Sequence, residues 1–240
     1  MDMQKLMVTA CLIGLSAGTG CDTAAHAPGA EAAVTRRDGH AHPMMVEWKT
    51  VDTFEQLLGA SDLVVLGTVV DRRFVTERLY PFSREKGRRL TAKEAGQEYG
   101  ELQLIESTVQ IDQVLRHSDR AEQWKSGDTV VVSELGGKLD DGCLAVPDDK
   151  PPLEKGDDVV LYLSAAGKPG VFHQVGGWQG RMYVADGVVH PLAARVHPQS
   201  QAVMPFDGMS LDALLAEVAT RPAAPLPELQ PPGPITNPAP

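Results

Sequence analysis

The chain has 240 residues, 32 acidic against 22 basic side chains and a formal net charge of −10. A surface this acidic is a poor match for the phosphates of DNA and RNA, which are held by Lys and Arg, and for anionic lipid headgroups. Its three cysteines exclude a disulfide scaffold, and no CxxC or Cys/His cluster has zinc spacing. In chain order, residues 1–20 read as an export address: Lys5, then the apolar run "LMVTACLIGLSA", then Gly18, Thr19 and Gly20. The run is too short for a comfortable membrane span, which needs about 20 apolar residues.

Small residues directly before Cys21 resemble a bacterial lipoprotein signal, although Gly18 stands where that family usually has an aliphatic side chain. The resemblance implies cleavage before Cys21, a lipid on its thiol and a mature chain held at the cell envelope. A cleaved signal without lipid, releasing a periplasmic or secreted soluble protein, is the other reading. Residues 21–44, rich in Ala and small polar residues, read as a flexible tether. Residues 221–240, "RPAAPLPELQPPGPITNPAP", read as a proline-rich, disordered, uncovered tail.

Residues 45–220 remain, enough for one domain with a sizeable core. "TFEQLLGASD" opens with a Thr53 cap and Gln56 three residues on, and "SLDALLAEVAT" with a Ser210 cap. Both predict short amphipathic helices. "DLVVLGTVVD" is a continuous β-branched run, the pattern of a strand buried on both faces. In it, Gly67 predicts a bend or a close backbone approach. "LQLIESTVQIDQVL" alternates but changes phase near Ile105 and Glu106, which predicts a β-bulge there. "KSGDTVVVSEL" and "EKGDDVVLYLS" each place a Gly-Asp turn before a valine-rich strand. "VADGVV" places Asp186-Gly187 between apolar residues, a two-residue hairpin signal.

About six or seven strands and no β-α-β alternation predict a mainly β fold, a small antiparallel barrel or curled sheet with short flanking helices. "FEQLLGASDLVVLGTVVD", "STVQIDQVL", "GDTVVVSELGG" and "EKGDDVVLYLS" resemble the strand order of an OB-type barrel. In particular they resemble netrin and metalloproteinase-inhibitor barrels and uncharacterised bacterial secreted proteins with that pattern. Those inhibitors use a disulfide-tethered N-terminal cysteine against a protease zinc. Cys21 stands far from the barrel and lacks that framework, so inhibition does not carry over.

Four stretches and a set of histidines hold candidate sites. "DGHAHP" places His40 and His42 two apart, near Asp38, able to share a metal on an extended chain. "LGGKLDDGCLAVPDD" surrounds Cys143 with carboxylates, which oppose a thiolate nucleophile, while Asp140 and Asp141 could serve a hard cation. "PFSREKGRRLTAKEAGQEYGE" is a long insertion carrying Arg84, Lys86, Arg88 and Arg89, the one basic cluster. "VGGWQGRMY" offers Trp178, Gln179 and Arg181 as a binding surface, with Trp178 able to stack on a sugar or peptide. His173, His190 or His197 could act with the Asp-rich loop, and His173 and His190, on predicted strands, could converge in a barrel.

No GxSxG, HExxH, P-loop or dinucleotide fingerprint occurs, and no cofactor is implied. The expectation is a non-catalytic, lipid-anchored binding domain at the cell envelope. Its partner would be an envelope protein, a peptide or a saccharide, not nucleic acid. The alternative is an exported hydrolase or metal-dependent enzyme built on the histidines and the Asp-rich loop.

Overall fold

The computed structural model describes residues 41–44, 49–83, 85–121, 123–138, 142–147 and 150–227. Its strands are β1 Ala41–Met44, β2 Leu63–Leu79, β3 Phe82–Ser83, β4 Arg88–Arg89, β5 Gly100–His117, β6 Thr129–Leu135 and β7 Gly137–Lys138. They continue with β8 Leu144–Pro147, β9 Asp158–Ala165, β10 Val171–Gln174, β11 Arg181–Ala185, β12 Val188–Pro191 and β13 Met209–Ser210. The helices are α1 Phe54–Ala60, α2 Ala92–Ala95, α3 Leu192–Val196 and α4 Leu211–Thr220. The fold is mainly β, with few helices.

Eight strands form one mixed sheet in the order β10-β6-β5-β2-β9-β11-β12-β13. That is larger than the predicted six or seven strands. It is also not wholly antiparallel, because Val171 and Phe172 of β10 pair in parallel with Val131 and Val132 of β6. β10 pairs a second time, antiparallel with β9. The chain of pairings β6-β5-β2-β9-β10 therefore returns to its start, while β11, β12 and β13 continue outward from β9. The whole is a large mixed sheet and not a clear small barrel. A separate small sheet joins β1, β8 and β7, with β1 parallel to β8. The last four residues assigned to the tether are thus a strand.

Strand alternation explains why the sheet is covered twice. On β2, Leu63, Val65 and Val69 enter one apolar cluster and Val64 the other. On β9, Val159, Leu161 and Leu163 oppose Val160 and Tyr162 in the same way. Side chains at i and i+2 share a face, so a continuous apolar run supplies both. One cluster gathers residues from β2, β5, β6, β9 and β10, including Val109, Ile111, Val130, Val132 and Phe172. The other lies under the helices, where Phe54, Leu57, Leu58, Leu192, Leu214 and Val218 pack on Tyr162, Trp178 and Met182.

The caps follow the sequence. Gln56 N donates to Thr53 Oγ1 at 3.2 Å and Ala213 N to Ser210 Oγ at 3.4 Å. Both Gly-Asp turns close alike, Lys125 N donating to Asp128 Oδ2 at 3.0 Å and Glu154 N to Asp157 Oδ2 at 2.8 Å. Asp186 and Gly187 take positive φ values of 52° and 74° in the β11–β12 hairpin, as a two-residue turn of that hand requires. Gly67 meets the neighbouring strand closely, a Cβ there falling 2.4 Å from the Gln110 carbonyl oxygen.

The bulge lies elsewhere than predicted. β2 and β5 pair without interruption from Asp71↔Thr108 to Leu79↔Gly100, and the register shifts at Leu115, Asp112 and Val70 instead. The phase change near Ile105 reflects two-sided cover, because Leu104, Ile105, Glu106 and Ser107 are all buried.

The C-terminal expectation also changes. Residues 221–227 run along α1: Ala224 N donates to the Glu55 carbonyl at 2.8 Å, and Leu226 packs on the helix-covered core. Gly59 permits this approach, since a Cβ there would stand 1.9 Å from the Ala224 carbonyl oxygen.

Candidate functional site

The segment "VGGWQG" builds the most site-like surface. Gly176 and Gly177 both take left-handed φ values, 63° and 59°, and turn the chain from β10 into a short 3-10 turn over Gly177–Gly180. Trp178 is thereby laid against His197, which follows α3. Their rings stack with centroids 4.3 Å apart and planes 25° from parallel. This pair floors a cleft of about 390 Å³ rimmed by Thr50, Asp52, Gln199, Ser200 and Gln201. A smaller cleft of about 180 Å³ over Phe54 and Phe206 shares Asp52 and Gln201 with it.

Trp178 is only 6% exposed, so it offers an edge beneath His197 and not the open face expected from sequence. Gln179 is a staple. Its Oε1 accepts from Val51 N at 2.8 Å, and its Nε2 donates to the Val51 carbonyl at 2.8 Å and to Ser200 Oγ at 3.0 Å. It fixes one wall of the cleft to the other.

Arg181 is drawn into the protein. It is fully buried. Its Nη1 donates to the Pro151 carbonyl at 2.6 Å and to the Tyr183 hydroxyl at 3.0 Å, and its Nη2 to Gln174 Oε1 at 3.3 Å and to Glu134 Oε1. Lys150 Nζ stands 3.4 Å from the same Glu134 oxygen, and the other Glu134 oxygen accepts from Leu153 N at 3.1 Å. Burial alone would raise the Glu134 pKa. The adjacent guanidinium and ammonium outweigh it and hold the carboxyl below its usual range. Asp157 nearby goes the other way, raised by burial. A carboxylate clamped by two cations is no general base, so the cluster's chemistry is to tie the 150–153 segment to β6, β10 and β11.

The basic cluster is turned on itself. Glu94 receives Lys86 Nζ at 2.6 Å and both terminal nitrogens of Arg88, at 2.8 and 2.9 Å. Those bonds, with the Thr91 amide and hydroxyl, hold the Glu94 carboxyl far below its usual range. Arg89 Nη1 donates to the Tyr80 carbonyl at 3.0 Å. None of these residues lines the Trp178 cleft.

The three candidate histidines have separate neighbours. His173 Nδ1 lies 3.1 Å from the Ser133 carbonyl oxygen, His190 Nδ1 lies 3.1 Å from Asp207 Oδ1, and His197 stacks on Trp178. Among the described residues, no three His, Cys, Asp or Glu side chains are grouped to hold a metal. Cys143 is buried. Cys21, His40, Arg84, Asp140 and Asp141 lie outside the described residues, as does the side chain of His42.

Sequence reading missed Glu134, Lys150 and Gln174, and named His197 without its ring partner. A signal existed for the first: Glu134 has the parity of Val130 and Val132, both core residues, so an inward carboxylate needing a cation was implied. No family model matches the chain, and a search of curated proteins finds no match either.

Proposed function

We propose that this is an exported, non-catalytic binding domain, held at the cell envelope by a lipid on Cys21 and binding its ligand in the cleft over Trp178 and His197. The observation that carries the reading is the stacked ring pair beneath a rim of hydroxyl and amide side chains and the Asp52 carboxylate. Rings bind sugar faces and peptide side chains, and amides and hydroxyls fix orientation through hydrogen bonds. The ligand is thus an envelope protein, a peptide or a saccharide. We further read the circuit β6-β5-β2-β9-β10 as a small OB-type barrel to which β11–β13 are appended. Its support is the single apolar cluster drawn from all five strands.

Ligand-observed NMR against neutral oligosaccharides and short peptides tests the cleft. A binder found with the intact chain is expected to weaken at least about fivefold with His197→Ala or Gln201→Ala. Binding unchanged in both variants would remove the cleft from the reading.

A further inference from the structure

β2 outruns its neighbours. It pairs with β9 only over Leu63–Thr68, and Val69 exchanges hydrogen bonds with Gly156 and Asp157. β5 leaves β6 beyond Leu104. From Asp71 to Leu79 β2 stays paired with β5 over about 30 Å, and beyond Val75↔Leu104 the two strands project as a ribbon. The outer edge of β2 along it meets no other strand among the described residues.

The edge carries charges, which guard it against unselective pairing, and one exposed aromatic side chain, Phe74; its nearest bulge, at Val70, lies at the root. The two large apolar side chains most exposed among the described residues are Phe74, at 41%, and Tyr99 at the foot of β5, at 40%. Each has a guanidinium on its ring: Arg72 lies 5.8 Å from the Phe74 centroid and Arg78 lies 4.5 Å from that of Tyr99.

Two other charges along this stretch are answered, while Asp71 and Glu101 form no ion pair among the described residues. Arg73 binds Glu106 at 2.6 Å and Glu77 lies 3.1 Å from Lys168. Arg72 and Arg78 form no ion pair among the described residues, although Glu101 stands opposite Arg78 in the register. Arg72, Phe74, Thr76 and Arg78 share one face, so two unanswered cations lie about 20 Å apart beside an unpaired backbone.

We propose that the edge of β2 over residues 71–79 accepts an extended acidic segment of a partner protein as an added strand. The backbone supplies the ladder, the paired arginines select carboxylates at matching spacing, and Phe74 supplies apolar contact. Antiparallel self-pairing centred on Val75 would set Arg72 opposite Arg78 twice and Arg73 opposite Glu77 twice, so a second copy gains no net charge complementarity, whereas an acidic strand does. The surface is separate from the Trp178 cleft.

The probe is a capped, fluorescent peptide of alternating valine and threonine with a glutamate at each end, six positions apart, and its twin with lysine at those ends. Anisotropy with the full chain is expected to show the glutamate peptide binding at least about tenfold more tightly than the lysine peptide. Arg72→Ala with Arg78→Ala is expected to erase that difference. Hydrogen exchange should slow at alternate amides of residues 71–79 on binding. If the double variant misfolds, Phe74→Ser reads the same surface through weakened binding of the glutamate peptide. Equal binding of both peptides, absence of binding, or unaltered exchange along β2 overturns the proposal. So does sedimentation showing that the unliganded chain self-associates through this edge.

Discussion

Glu134 is the residue on which most rests. Removing its charge leaves Arg181 and Lys150 buried beside each other, and breaking a buried pair on one side costs about 3–5 kcal/mol. Glu134→Gln is expected to lose that much in urea unfolding. The native carboxyl titrates below its ordinary value, so it binds fewer protons than the unfolded one. Its contribution is full above the ordinary glutamate pKa and is lost as pH falls through the native value. Asp157 has the opposite sign: its raised native pKa favours the fold at low pH and that gain disappears as pH rises through the native value. Melting temperature against pH should therefore fall less steeply in acid for Glu134→Gln, and more steeply for Asp157→Asn, than for the parent. At this scale the sequence was partly legible. Strand parity marked Glu134 as inward, whereas nothing local marks Lys150 or Gln174 as its neighbours, because they arrive from other segments.

The turns and caps were legible as elements, since each depends on chemistry within a few residues: the Thr53 and Ser210 caps, the Gly-Asp turns, the Asp186-Gly187 hairpin. The β5 bulge was misplaced because parity records which face is covered, and β5 near Ile105 is covered on both. Residues 221–227 were read as uncovered because proline composition says nothing about the close approach that Gly59 allows on α1, and residues 228–240 of the proline-rich tail lie outside the described residues. Gly59 tests that docking. Gly59→Ala sets a methyl into the Ala224 carbonyl, and is expected to destabilise by about 1–3 kcal/mol and to speed hydrogen exchange at the Ala224 amide. In a chain ending at Thr220 the same substitution is expected to stabilise by up to about 1 kcal/mol, because alanine is the better helix former and the clash is gone. Equal effects in both chains would show that the tail does not bear on α1.

For the whole molecule, composition and pattern were enough for a mainly β fold. They could not reveal a mixed sheet, because its parallel contact is two residues of β10 against two of β6, too short for any periodic trace. The envelope address is testable on the intact protein. Cys21→Ser is expected to move the chain from the membrane fraction to the soluble exported fraction. Intact mass of the parent recovered from membranes should begin at Cys21 and carry added acyl mass. A mature mass at Cys21 without lipid would make the protein a soluble one.

The pairing of β1 with β8 gives such an anchor a mechanical character. In the proposed anchored form, a pull from the membrane passes through Ala41, the first residue of a strand lying parallel to Leu144–Pro147. Tension then runs along the ladder, so its rungs share the load and fail together, where a pull across the strands would part them one at a time. The docked strand acts as a strain relief, keeping tugs on the lipid end away from the sheet behind it.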